Sequence, residues 1–135
     1  MKVIVDTSVW SLALRRHKDA QNPEAKILQK IIQEGENIFL VGIILQEILQ
    51  GVKKAQNFKK LKEHFDAFPL IEIKREHYVR AAELKNHLMG KGIQTSTIDA
   101  LIAAVSIVND CYLFTSDRDF YHIARHSKLK LLRYK

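Results

Sequence analysis

The sequence has one cysteine, Cys111, and therefore no partner for an intrachain disulfide. Its position in the apolar run Cys111-Tyr112-Leu113-Phe114 predicts a buried thiol in a strand, and a reducing cytoplasm suits such usage. Long hydrophobic runs are missing as well. The longest, Ile38 to Leu45, is far too short to span a bilayer, and Asp6 interrupts the N-terminal apolar stretch too early for a signal-peptide core. A protein that is neither secreted nor membrane-embedded is expected. Internal repeats, low-complexity tracts and linker-like shifts in composition are absent too. One domain over residues 1–135 follows, large enough to bury a core without disulfides or a structural metal.

Several chemistries lack their motifs. His122 and His126 are four residues apart, but no HExxH pattern surrounds them, so surface or partly buried histidines are expected in place of a zinc site. There is no G-x-S-x-G elbow, no GxGxxG and no P-loop, and Gly90-Lys91-Gly92 is too short to cradle a phosphate.

What is present is an ordinary globular composition, 47% hydrophobic and 27% charged, with a net charge of +7. Such a surface attracts polyanions, of which nucleic acid is the commonest in a cytoplasm. Lysines on solvated helix faces produce the same total, so charge alone does not decide the matter.

The hydrophobic pattern alternates between strand and helix. Val3-Ile4-Val5 is a continuous β-branched run suited to a central strand, ending at Asp6. Val9, Trp10, Ala13 and Leu14 then recur at helical spacing, with Arg15-Arg16 where cations suit a helix C-terminus. Asn22-Pro23-Glu24 starts a second helix with a buried stripe of Ile27, Leu28, Ile31 and Ile32, stopped by Gly35. A strand at Ile38–Val41, a helix from Gly42 to Ala55, a further helical pattern through Phe58, Leu61, Phe65 and Phe68, and a strand at Leu70–Ile73 follow. Helices over Glu76–Met89 and Thr97–Val108, a strand at Tyr112–Thr115, a helix at Arg118–Arg125 and a strand at Leu129–Leu132 complete the chain. Such alternation predicts an α/β fold whose mostly parallel sheet is covered by helices on both faces.

In that architecture ligands gather outside the carboxyl ends of the strands. Asp6 closes the first strand, Asp117 and Asp119 follow the fourth, Glu47 lies in the helix after the second, and Asp99 in the first turn of the helix leading to the fourth. Each has an ordinary structural role open to it. Asp6 can start a turn, Asp99 can belong to a capping box begun by Ser96, Asp117 can be an N-cap, and Glu47 can be a solvated helix residue. Against those roles, Glu47 and Asp99 are embedded in apolar sequence, where an unpaired buried carboxylate is costly. Converging carboxylates repel unless a cation lies between them, and an all-oxygen set favours Mg²⁺ or Mn²⁺ over zinc. Thr7 and Ser8 can cap the first helix, or hold a water or phosphate beside Asp6.

The ordered set Asp6-Thr7-Ser8, Leu45-Gln46-Glu47-Ile48-Leu49-Gln50-Gly51, Asp99-Ala100-Leu101-Ile102-Ala103-Ala104 and Thr115-Ser116-Asp117-Arg118-Asp119-Phe120 resembles PIN-domain ribonucleases, specifically the short VapC-type toxins of type II toxin–antitoxin pairs. The resemblance covers essentially the whole chain. It implies a three-layer α/β/α sandwich, Mg²⁺- or Mn²⁺-dependent endoribonuclease activity, a homodimer and a cognate antitoxin that covers the site. The family's acidic quartet falls on Asp6, Glu47, Asp99 and Asp117, with Asp119 a possible fifth member and Ser8 a supporting hydroxyl. One departure is Ile44, where members often carry Ser or Thr three residues before the glutamate, which leaves the capping of that helix in doubt.

On this reading Asp6 and Asp99 are the first-choice metal ligands, while Glu47 and Asp117 complete the coordination, act through water or move protons. Arg15, Arg16, Lys53, Lys54, Lys91 and Arg118 are the candidates to track a phosphate backbone. Two rival readings stand beside it: a catalytically idle module that binds RNA or protein, and a phosphotransfer domain with a strand-end aspartate as covalent acceptor. The second lacks the additional aspartate two residues after Asp6 that haloacid-dehalogenase-like phosphatases carry.

Overall fold

The computed structural model describes residues 1–14 and 22–133. Its elements run β1 (Lys2–Val5), α1 (Thr7–Leu14), α2 (Pro23–Gln33), β2 (Asn37–Val41), α3 (Gly42–Leu49), α4 (Ala55–Phe65), β3 (Leu70–Ile71), α5 (Arg75–Gly90), α6 (Thr97–Val108), β4 (Tyr112–Phe114), α7 (Arg118–Arg125) and β5 (Lys130–Leu131). Arg15 and Arg16 lie outside the described residues.

The five strands form one parallel sheet in the order β3-β2-β1-β4-β5. β1 is central, with Ile4 opposite Phe39 of β2 on one side and Leu113 of β4 on the other. That position explains its sequence: Val3, Ile4 and Val5 are all fully buried, as a strand covered on both faces requires. Helices α1 to α4 pack among themselves, as do α5 to α7. These two groups are the outer layers of a three-layer α/β/α sandwich, the outcome when right-handed crossovers run first one way from β1 and then the other.

Local signals account for most boundaries. Asn22 caps α2 by accepting from the Ala25 N–H at 3.1 Å, with Pro23 at the first helical position. Gly35 ends that helix in the left-handed region at φ 73°, where a side chain would be strained. The helix expected from Gly42 to Ala55 ends early: α3 stops at Leu49 and the chain is extended at Lys54, after which α4 carries the further helical pattern. Gly51 sits in the break, where helix continuation costs about 1 kcal/mol relative to alanine. Val41 at the N-cap of α3 provides no side-chain bond, so this helix starts without the hydroxyl cap in question.

Other differences are of extent and facing. The third and fifth strands are two residues long, shorter than the apolar runs suggest, since both are sheet edges with a partner on one side only. Ile32 is 41% exposed, leaving Leu28 and Ile31 as the buried part of the α2 stripe. Tyr78 is exposed and its neighbour His77 is buried, with Nδ1 accepting from the Lys74 N–H at 2.8 Å at the start of α5. Cys111 is buried just before β4, and burial pushes its thiol pKa up, as suits an inert core residue. No helix among the described residues is long and apolar enough to cross a membrane.

One aromatic cluster fastens the layer nearest the site. Trp10 of α1 meets Phe65 of α4 edge-on at 4.8 Å and Phe68 just beyond α4 at 5.4 Å. Since α1 begins at Thr7, this packing sets the position of the residues that follow Asp6.

Candidate active site

The sheet order places a topological switch between β1 and β4, since the chain leaves β1 toward β2 and later returns on the other side. A crevice at the carboxyl ends of those two strands is the expected ligand site. Asp6 ends β1 and Asp117 lies three residues past the end of β4.

Asp6 is nearly buried, and its Oδ2 accepts from two hydroxyls, Ser8 Oγ at 2.8 Å and Thr115 Oγ1 at 2.9 Å. Each hydroxyl accepts in turn from a backbone N–H of the β4–α7 connection, Ser8 from Ser116 at 3.1 Å and Thr115 from Asp117 at 3.0 Å. Two short relays thus run from main chain through hydroxyl to one carboxylate oxygen. They lock the side chain of Asp6 and leave its Oδ1 without a hydrogen bond among the described residues. Thr115 is a polar contact of Asp6 that residue-type reasoning passed over, although it stands in the Thr115-Ser116-Asp117 string at the end of the fourth strand.

Three helix starts meet here. The Asp6 carbonyl receives the Val9 and Trp10 N–H groups of α1. Asp99 sits in the first turn of α6, where its N–H donates to the Ser96 capping hydroxyl at 3.0 Å. Asp117 is the N-cap of α7, its Oδ1 accepting from the Asp119 N–H at 2.9 Å. The capping roles open to Ser96 and Asp117 are therefore real, and they aim the acids. The partial positive charge of each helix start offsets part of the repulsion among the carboxylates.

The structure brings Asp99, Asp117 and Asp119 closest together: an oxygen from each lies within 4.8 Å of the others. Asp6 and Glu47 stand outside this triplet. Asp6 is near enough for its charge to act on Asp99. Glu47 of α3 is half-buried and accepts from Thr7 Oγ1 through Oε1 at 3.1 Å, which ties it to the residue after Asp6. Lys53, Lys54, Lys91 and Arg118 are all exposed, as are His122 and His126.

The pKa of Asp99 is pushed up to about 6, first by burial and next by the charge of Asp117; a hydrogen bond with Ser96 works against the rise, and Asp6 and Asp119 add to it. A divalent cation fits this donor set. The oxygens are hard, closely spaced and mutually repelling, with no thiol or imidazole among them.

A stability prediction follows for the metal-free protein. An acid with pKa 3.8 unfolded and about 6 folded carries a cost that is absent below the first value, grows between the two and is complete above the second. Asp99→Asn removes that cost. In EDTA at about pH 7.5 the variant should be more stable than wild type by about 1 kcal/mol, a figure discounted for solvent screening, and near pH 4 the two should converge. Denaturant titrations at both pH values decide it, and a gap that does not change with pH rejects the account.

No curated protein matches the sequence significantly. Among solved structures the chain resembles one from VapBC2 of Rickettsia felis bound to a promoter DNA fragment, with 22% identity, 100% of both chains covered and a TM-score of 0.79. Similar too are VapBC-1 of nontypeable Haemophilus influenzae (14% identity, 98% of this chain and 97% of that one, TM-score 0.77) and DNA-bound VapBC of Salmonella typhimurium (14%, 98% and 97%, TM-score 0.74). At such identities the likeness establishes the fold. The PIN domain family profile matches residues 3–126, nearly the whole sequence, and the chain therefore belongs to the PIN domain family.

Proposed function

We propose that the chain is a VapC-type toxin, a single PIN domain over residues 1–135, that cleaves RNA internally by phosphodiester hydrolysis with Mg²⁺ or Mn²⁺ held by its acid cluster. The observation that carries this reading is the convergence of Asp99, Asp117 and Asp119 beside Asp6 at the sheet's switch point, in a protein of net charge +7.

Asp99, Asp117 and Asp119 would hold the metal, with Asp6 contributing from the end of β1. When bound, such an ion activates water and neutralises charge developing on the phosphate. Ser8 and Thr115 orient Asp6 through their hydroxyl bonds. Glu47, whose Oε1 is engaged by Thr7, keeps Oε2 to accept a proton or to reach the metal through water. The exposed Lys53, Lys54, Lys91 and Arg118 attract the phosphate backbone.

The partners in this reading are a cognate antitoxin that covers the site and a second copy of the chain, in a cytoplasmic setting. Support comes from the family and from the fold shared with chains of VapBC complexes. Purified protein should degrade an RNA mixture with Mg²⁺ or Mn²⁺ and leave it intact in EDTA, with Asp99→Asn as the inactive control. RNA that is bound but never cut, with every metal tried, would reject the enzyme in favour of an idle binding module.

A further inference from the structure

Beside Glu47 lies an open groove of about 750 Å³ between α1, α3 and α4, also lined by Ser11, Asn57, Lys60, Leu61 and His64 among others. The α4 residues are spaced for one helix face, since positions 57, 60, 61 and 64 recur every three or four residues. His64 is braced edge-on against Phe65 and Phe68, at 5.3 and 6.0 Å, so this wall is continuous with the Trp10 cluster. Glu47 is the one acid among the described residues of the lining, and its Thr7 bond leads directly to the residue beside Asp6. The groove therefore reaches the acid that Thr7 ties to the end of β1.

Its charge identifies a ligand class. The segment from residue 52 to 65 holds Lys53, Lys54, Lys59, Lys60 and Lys62 against the single acid Glu63. Among the described residues none of these lysines is ion-paired. Phe58 is 37% exposed and stands one helical turn from both Lys54 and Lys62. Unpaired cations flanking an exposed aromatic ring, next to a groove with apolar Leu61 and Ile48 in its walls, match a polyanion with flat unstacked bases.

We infer that this groove, with Lys60 in its α4 wall, binds the single-stranded RNA adjoining the bond to be cut. The inference rests on the ribonuclease reading and adds the path of the substrate. Lys60 acts there as a positioning residue: it holds a phosphate away from the reacting one, so its loss raises KM and spares kcat.

The test is binding of a labelled oligouridine in EDTA, across a salt series, to the whole protein. Lys60→Ala should weaken binding about fourfold near 0.15 M salt and lower the slope of log affinity against log salt by about 0.7, the share of one phosphate contact on a single strand. Lys128→Ala, an equal change of net charge in the connection between α7 and β5, should give less than half of either effect. Equal effects from the two variants, or none from Lys60→Ala, overturn the inference, the latter leaving the groove to a protein segment. Hydrolysis of bis(p-nitrophenyl) phosphate with Mn²⁺, a diester too short to reach α4, reads the acid cluster separately. A wild-type protein inactive on it and on RNA would sink the cutting reading, while the oligouridine result still decides whether the groove binds RNA.

Discussion

Asp6→Asn is expected to slow metal-dependent RNA cleavage by about 10²- to 10⁴-fold while shifting Tm by only a few degrees. The separation of the two effects comes from the hydrogen bonding. Both hydroxyl bonds to Asp6 arrive at Oδ2, and an asparagine carbonyl accepts them equally well. What disappears is the negative charge at the end of β1, next to Asp99. Initial rates on a defined RNA and a thermal melt of the same preparations provide the comparison, and full cleavage by the variant would remove Asp6 from the site. The same assay applied to Asp119→Asn tests the exposed member of the triplet, for which a loss of more than about tenfold is expected. A loss confined to Asp6, Asp99 and Asp117 would make Asp119 a bystander whose N–H is capped by Asp117 and whose carboxylate does nothing.

The second large effect is structural. Trp10→Ala should destabilise the fold by about 3–5 kcal/mol, the usual range for removing a large aromatic side chain from a packed interior. Trp10 is 2% exposed and meets two phenylalanine rings edge-on. Its indole N–H is buried without an acceptor among the described residues, so Trp10→Phe should cost far less, below about 1.5 kcal/mol, because no hydrogen bond is lost with the nitrogen. Urea midpoints at constant m-value measure both. Comparable losses from the two variants would mean that the indole nitrogen has a partner, contrary to the packing described. Loosening α1 in this way also loosens Thr7 and Ser8, so Trp10→Ala should weaken cleavage beyond its effect on the folded fraction.

The parts of the molecule legible in its sequence are those governed by local chemistry. The β-branched run before Asp6 marks a strand buried on both faces, Asn22-Pro23 marks a helix start, and alternation of the two periods marks a parallel sheet. The acids could be placed at one end of that sheet because a strand's last residue faces its carboxyl end in any parallel order. Which acids meet was not legible, since it depends on how α6 and α7 are angled over the sheet. Asp119, doubtful from its position after a capping aspartate, turns out to be within 4.8 Å of Asp99 and Asp117, while Glu47 is held by Thr7 outside the triplet. The early end of the helix that starts at Gly42 was hidden for a related reason: the apolar spacing continues through Gly51 and Val52 although the backbone does not. His77 illustrates the limit on the polar side. Its burial is stabilised by a backbone N–H three residues earlier, a partner that residue-type patterns do not reveal.

The bond from Thr115 to Asp6 spans 109 residues, and Asp99, Asp117 and Asp119 all belong to the late part of the chain. During translation β1 must therefore wait for β4, its neighbour in the sheet, and a ribosome-bound fragment that stops before residue 112 holds neither β4 nor Thr115, Asp117 and Asp119. Long-range pairing of this kind generally forms more slowly than local structure. On the proposed reading as an enzyme that cuts RNA, this order of synthesis means that the acid triplet cannot assemble before residue 119 has been made, so shorter products lack the site.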